Sequence, residues 1–210
     1  MVKEIRIYIE GDTKQKGKNT DITLRQGFNY FFRTLIDVAK NKNITIRPIT
    51  YGSKYETFKK FLDGVNEYQD SFVLFLLDSD AEISETETPR SFLKKQNPTW
   101  HLQHADEEQC HLMVQVMESW FFADKDKLAE FYGQGFNLNA LAANPNIEKI
   151  AKTDVETGLA NATKKTQKGE YHKTGHGAKL LELIDPQKVR ASAPNCDRFF
   201  RTILDQLAKA

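Results

Sequence analysis

SFVLFLL, residues 71–77, is an unbroken apolar run of strand length, and it leads directly into Asp78, Ser79 and Asp80. A run without polar alternation indicates a strand that is covered on both faces, as in a parallel sheet. Residues two apart on an extended chain point to the same side, so Asp78 and Asp80 are placed to share one divalent cation. The stretch therefore predicts a buried strand that ends in a metal-ligand pair, with an Asp-rich turn as the simpler alternative.

The segments before this run alternate between strand and helix patterns. They predict a strand at 3–9, a helix at 21–42 with Asp21 as its N-cap, a strand at 44–49 and a helix at 53–65. This β-α-β-α-β order predicts a parallel sheet with right-handed crossovers, whose ligand site lies beyond the carboxyl ends of the strands. We therefore expect an α/β fold with the acids at that edge.

The segments after Asp80 predict one more strand and several helices. They place a short helix at 91–96, a strand at 112–117, a helix at 124–132 with Asp124 as its N-cap, a connector at 133–146, and helices at 147–152, 178–184 and 196–207. We expect an α/β core at residues 1–132 and a helical extension at residues 133–210 that packs on it.

Two other predicted strands end in a carboxylate, Glu10 after the first and Glu118 after the last. Several carboxylates close together are unfavourable unless some are protonated or a cation lies between them, and Mg²⁺ or Mn²⁺ prefers such oxygen ligands. We expect Glu10 to join Asp78 and Asp80 in a metal site. Glu118 is interpreted as a metal ligand or general base, or else as a glutamate that turns outward where the strand ends.

Residues 171–177 read YHKTGHG and precede an apolar helix pattern. A Gly-rich helix start flanked by Lys and His favours an anion, so we interpret Lys173 as a group that neutralises a phosphate oxygen as negative charge develops. A solvated loop is the alternative interpretation.

Two further motifs suggest rival functions. The loop GDTKQKGKN at 11–19 resembles a P-loop but has five residues between its glycines instead of four, and Asn19 where Mg²⁺ binding needs Ser or Thr. Nucleotide hydrolysis therefore remains a third possibility. His101, His104, Cys110 and His111 invite a zinc interpretation, but adjacent strand residues point in opposite directions, so His111 is expected to line the site instead.

Charge is segregated along the chain. Residues 1–69 carry 13 Lys and Arg against 8 Asp and Glu, residues 70–130 carry 5 against 13, and residues 149–210 carry 12 against 7. An acidic centre between basic segments suits a metal site that handles a polyanion, although a solvated surface of uneven charge would look the same. No apolar stretch approaches the roughly 20 residues of a membrane span, no signal peptide is evident, and the two cysteines form no CxxC pair, so we expect a cytoplasmic protein.

The acids together resemble the Toprim arrangement, which has a Glu after the first strand and a DxD after the third. The run HLMVQVMESWFFAD at 111–124 is similar to the bacterial family labelled domain of unknown function 4276. Lys173 with its following glycines, Asp185-Pro186, and Pro194-x-Cys196-x-Arg198-Phe extend that resemblance over nearly the whole chain.

The resemblance implies a Toprim-like Rossmannoid fold, related to that of the overcoming-lysogenisation-defect nucleases. It implies that Glu10 is an acid/base or second-metal residue and that Asp78 and Asp80 hold Mg²⁺ or Mn²⁺. It further implies a link to anti-phage defence with an ATPase partner. Since no topoisomerase tyrosine or primase zinc module stands out, we expect a metal-dependent nuclease that hydrolyses DNA or RNA. The alternative is a non-catalytic module that binds an ATPase partner or nucleic acid.

Overall fold

The computed structural model describes residues 2–11 and 20–210, without the side chains of residues 20 and 21. Apart from Gly11, the loop compared above with a P-loop lies outside the described residues. Of the helices that are described, none is both long enough and apolar enough to cross a membrane.

A parallel sheet of four strands forms the centre of the described chain. The strands are β1 (Glu4–Glu10), β2 (Thr45–Tyr51), β3 (Ser71–Asp78) and β4 (Cys110–Met113), in the order β2-β1-β3-β4. The α/β class and the parallel sheet are thus confirmed. Since Ile9 pairs with Leu76, the next residue on β1, Glu10, lies at the same edge as Asp78.

The apolar run of β3 is covered on both faces, as its composition predicts. Leu74 and Leu76 belong to one buried cluster, whereas Val73, Phe75 and Leu77 belong to another on the opposite face. This alternation follows from the two-residue period of a strand.

The first half contains four helices within the described residues: α1 (Thr20–Phe31), α2 (Arg33–Lys40), α3 (Lys54–Glu67) and α4 (Pro89–Gln96). The single helix predicted at 21–42 is divided at Phe32, whose ψ of 9° departs from helical geometry. Asp21 lies inside α1, so its predicted N-cap position is wrong. Ser53 caps α3 through a capping box with Glu56.

The second half contains α5 (Lys125–Tyr132), α6 (Lys152–Thr163), α7 (Ala178–Leu183), α8 (Pro186–Ser192) and α9 (Pro194–Ala208). The strand predicted at 112–117 ends at Met113, because its partner β3 ends at Asp78. A 3₁₀ segment follows at Met117–Ala123. Asp124 occupies the N-cap position of α5, as predicted, but its carboxylate does not bind the helix: it accepts from Asp185 N at 3.0 Å and from Lys188 Nζ at 2.6 Å.

The helices after residue 133 share a hydrophobic core with the sheet and with α1. Phe31 packs on Phe200 and Phe32 packs on Phe199, with ring centroids 5.8 and 5.1 Å apart. The division into a core at 1–132 and an extension at 133–210 stays a prediction.

Candidate metal and catalytic site

Glu10 and Asp78 meet where β1 and β3 end. The Oε2 atom of Glu10 accepts a hydrogen bond from the backbone N–H of Asp78 at 3.1 Å. The side chain of Asp78 is only 8% exposed. The sheet register causes this meeting, because parallel neighbours bring their carboxyl ends to one edge.

Asp78 is held from two sides. Its Oδ1 accepts from the backbone N–H of Met117 at 2.8 Å, and its Oδ2 lies 3.4 Å from the Nζ of Lys173. The 3₁₀ segment after β4 therefore positions the carboxylate that ends β3.

Lys173 lies between two acidic side chains. Its Nζ is 3.4 Å from Asp78 Oδ2 and 3.5 Å from Glu118 Oε2. The other oxygen of Glu118 accepts from the Tyr171 hydroxyl at 3.0 Å. Glu118 therefore points inward, at 8% side-chain exposure, rather than outward into solvent.

Asp80 turns away from this group. Its φ of +60° takes the chain out of the extended conformation, so Asp78 and Asp80 do not point to one side. The Asp80 side chain is 46% exposed and pairs with Lys54 and with Lys152, the latter at 2.8 Å. Sequence reasoning missed both lysines, since each lies on a helix whose placement depends on the folded crossovers.

The burial of these groups changes their proton affinities. Burial and the nearby Asp78 raise the pKa of Glu10 to about 7. Burial raises the pKa of Asp78 although Lys173 opposes this shift. Burial acts to raise the pKa of Asp80, but the hydrogen bonds from Lys152 and Lys54 outweigh it and the pKa falls. Burial would lower the pKa of Lys173, but the charges of Asp78 and Glu118 raise it.

The donor set fits a hard divalent cation. Among the described residues no three His, Cys, Asp or Glu side chains are arranged as a ready metal cage. Mg²⁺, however, is commonly held by one or two carboxylates together with water and substrate phosphate oxygens. Glu10 and Asp78 bring two carboxylates to the same strand ends, and a cation there would offset the Asp78 charge that, after burial, raises the pKa of Glu10.

An open cleft of about 480 Å³ adjoins Asp78. Asp78, Glu118, Lys152, His172 and Lys173 line it. The cleft thus presents cationic groups for a phosphate beside the carboxylates of Asp78 and Glu118, whereas Glu10 does not line it. Sequence analysis also missed Tyr171 and His172 as lining groups, although both lie in the 171–177 run that drew attention to Lys173.

His111 does not line this cleft, contrary to expectation. Its Nε2 lies 3.0 Å from Glu108 O and its Nδ1 lies 3.1 Å from an Arg198 nitrogen, so it joins β4 to α9. Burial and Arg198 lower its pKa to about 3. Cys110 packs in the cluster on the opposite face of the sheet, as adjacent strand residues must.

Comparison with known proteins gave one family. The model of a family described as domain of unknown function (DUF4276) matches residues 9–204. The comparison with curated proteins found no match, and the comparison with solved structures found none either.

Proposed function

This chain belongs to the DUF4276 family, and we propose that it is a Mg²⁺- or Mn²⁺-dependent phosphodiesterase of Toprim-like type that hydrolyses nucleic acid. The observation that carries the proposal is that Glu10 and Asp78 meet at the carboxyl edge of a parallel sheet: the Glu10 carboxylate accepts from the Asp78 backbone N–H, and Asp78 lines an open cleft with lysines in its wall. The likeness to Toprim nucleases and an ATPase partner in anti-phage defence are parts of this proposal.

The chemistry is the attack of water on a backbone phosphorus, with cleavage of one phosphorus–oxygen ester bond and protonation of the leaving oxygen. A bound divalent ion supplies charge stabilisation to the phosphoryl oxygens. Asp78 and Glu10 hold the ion; alternatively Glu10, whose pKa of about 7 allows both forms near neutrality, accepts the proton from the attacking water. Lys173 and Lys152 bind phosphate oxygens, and Asp80 orients Lys152.

Charge-neutralising substitutions test this assignment. Asp78→Asn and Glu10→Gln keep the side-chain shape but remove a negative charge, so each is expected to lower Mn²⁺-supported cleavage of labelled DNA and RNA by about a hundredfold or more. Asp70→Asn and Glu85→Gln, at side chains that are 77% and 85% exposed, are the matched controls and should cleave as wild type does. Urea unfolding shows that each variant is folded. Undiminished cleavage by folded Asp78→Asn would refute the proposal.

A second candidate is a non-catalytic module that binds an ATPase partner or nucleic acid. It is favoured by the ion pairs within the site, because Lys54, Lys152 and Lys173 already neutralise much of the acidic cluster. Co-purification with an ATPase and no cleavage with any divalent metal, even in the presence of that partner, would support this candidate over hydrolysis.

A further inference from the structure

An exposed aromatic surface lies on α3 next to the candidate site. Tyr55 is 57% exposed and directly follows Lys54, the residue that binds the Asp80 carboxylate. The Tyr55 ring centroid lies 6.5 Å from that of Trp100. Trp100 in turn stacks on Phe58 at 4.2 Å with an interplanar angle of 7°, which fixes the indole in place.

The surface carries positive charge. The Nζ of Lys59 lies 5.9 Å from the centre of the Tyr55 ring, and no carboxylate pairs with Lys59 in the described part of the chain. The nearby acids are engaged elsewhere, since Glu56 accepts from the backbone of Ser53 and Asp63 pairs with Lys60. We call Tyr55, Lys59 and Trp100 the aromatic strip.

A groove lies farther along the same helix. It has a volume of about 400 Å³ and is lined by Leu62, Val65, Asn66, His101, Gln103 and His104. None of these lining residues is acidic, and Leu62 follows Tyr55 and Lys59 at the spacing of one helix face. The path therefore combines apolar contact, hydrogen-bonding groups and positive charge, and at its Tyr55 end it adjoins Lys54, which pairs with Asp80 two residues after Asp78.

We propose that the aromatic strip binds single-stranded nucleic acid and guides it toward Glu10 and Asp78. Binding of single strands without sequence preference rests on aromatic side chains that stack on bases, together with cations that follow the phosphates. A duplex has no free base faces to stack on the strip. The inference rests on the proposed function for the destination of the strand, and it deepens that function by assigning a single-stranded substrate.

Binding is measured in EDTA, so that neither metal nor cleavage contributes. The probe is a fluorescently labelled 12-residue single strand, followed by anisotropy and by quenching of the Trp100 emission. Trp120, the second of the two tryptophans, is fully buried and gives a constant background. Tyr55→Ala is expected to weaken binding about tenfold, whereas Tyr55→Phe retains the ring and binds as wild type does. Tyr30→Ala removes a tyrosine of matching exposure, 56%, from α1 and is expected to leave binding unchanged.

Salt dependence tests the role of Lys59. Loss of one phosphate contact in Lys59→Ala should reduce the slope of log affinity against log salt by about 0.7. The inference is overturned if the single strand does not bind, if Tyr55→Ala binds it as tightly as wild type, or if a 12-base-pair duplex binds equally well with the same Tyr55 dependence.

The two proposals can fail separately. Cleavage that depends on Asp78 but not on Tyr55 would refute the role of the aromatic strip and leave the phosphodiesterase proposal intact. Tyr55-dependent binding of single strands without any cleavage would refute the phosphodiesterase proposal and leave the role of the aromatic strip intact.

Discussion

Glu10 is a carboxylate that the fold keeps partly protonated near neutral pH. Its pKa rises from 4.5 to about 7 on folding because of burial and the Asp78 charge. The folded state therefore holds the proton more tightly than the unfolded chain, so Glu10 costs no stability below pH 4.5, and the cost grows as the pH rises to about 7. In the metal-free protein Glu10→Gln should raise the free energy of unfolding by about 1–3 kcal/mol at pH 8 and by little at pH 4.5.

Urea unfolding in EDTA at the two pH values measures this difference. Glu85→Gln, at an 85% exposed side chain, should show no such pH-dependent gain. Equal stability of Glu10→Gln and wild type at pH 8 would show that Glu10 ionises freely in the folded protein.

Lys173 compensates two buried negative charges at once. Lys173→Met leaves Asp78 and Glu118 facing each other without the ammonium that lies 3.4 and 3.5 Å from them. We expect a loss of about 2 kcal/mol of stability at pH 8, less than for a fully buried pair because Lys173 is 39% exposed. Adding Glu118→Gln should recover part of the loss, which a double-mutant cycle by urea unfolding measures. Lys179→Met, which breaks an exposed pair with Glu182, should change stability by less than about 0.5 kcal/mol.

At the residue scale, the positions of Glu10 and Asp78 at one edge of the sheet were predictable, because the parallel pairing of the strands follows from the β-α-β order. It did not foresee that Asp80 turns outward, since the left-handed φ of +60° is set by hydrogen bonds to a distant segment, among them Asp80 N to Gln115 O at 2.8 Å. The inward position of Glu118 depends equally on the distant Tyr171. The catalytic and metal-binding roles of these residues stay predictions.

At the scale of elements, α1 and α7 approach each other through a glycine. A Cβ added at Gly27 would lie 2.7 Å from the carbonyl oxygen of Ala178 and 3.2 Å from Leu181 Cβ. Gly27→Ala gains helix propensity but must push the two helices apart, so we expect a net loss of about 1–3 kcal/mol in urea unfolding. Gln26→Ala, at the adjacent exposed position, gains propensity without the clash and should not destabilise. If the Gly27→Ala variant were more stable than wild type, α7 would have to shift at this contact at little cost in free energy.

Strong periodicity made most elements predictable, and its absence explains the misses. The apolar run of β3 and the alternating β1 gave their bounds to within a residue or two. Helix α6, with the sequence KTDVETGLANAT, was missed because its buried stripe is only weakly apolar: Gly158, Ala162 and Thr163 accompany just two large apolar residues. The short α8 was missed because its start signal, Asp185-Pro186, precedes only about two turns of helix.

At the scale of the whole molecule, the site is assembled from both halves of the chain. Glu10 and Asp78 come from the sheet, whereas Lys152 and Lys173 come from the helical stretch after residue 133. The shared core of Phe31, Phe32, Phe199 and Phe200 holds these parts together. A ligand that binds only the assembled site must therefore stabilise the entire fold.

Divalent metal should raise the melting temperature of the whole protein. At ten times its dissociation constant a single ion adds about 1.4 kcal/mol to the free energy of unfolding, which corresponds to roughly 3–5 °C for a chain of this size. We expect this rise in calorimetry with Mn²⁺ and its loss in Asp78→Asn, whose neutral amide binds the ion poorly. The control Asp70→Asn removes an exposed carboxylate and leaves Glu10 and Asp78 unchanged, so it should keep the full rise. An equal rise in Asp78→Asn would place the ion elsewhere on the protein and remove the basis for metal-dependent catalysis at this edge of the sheet.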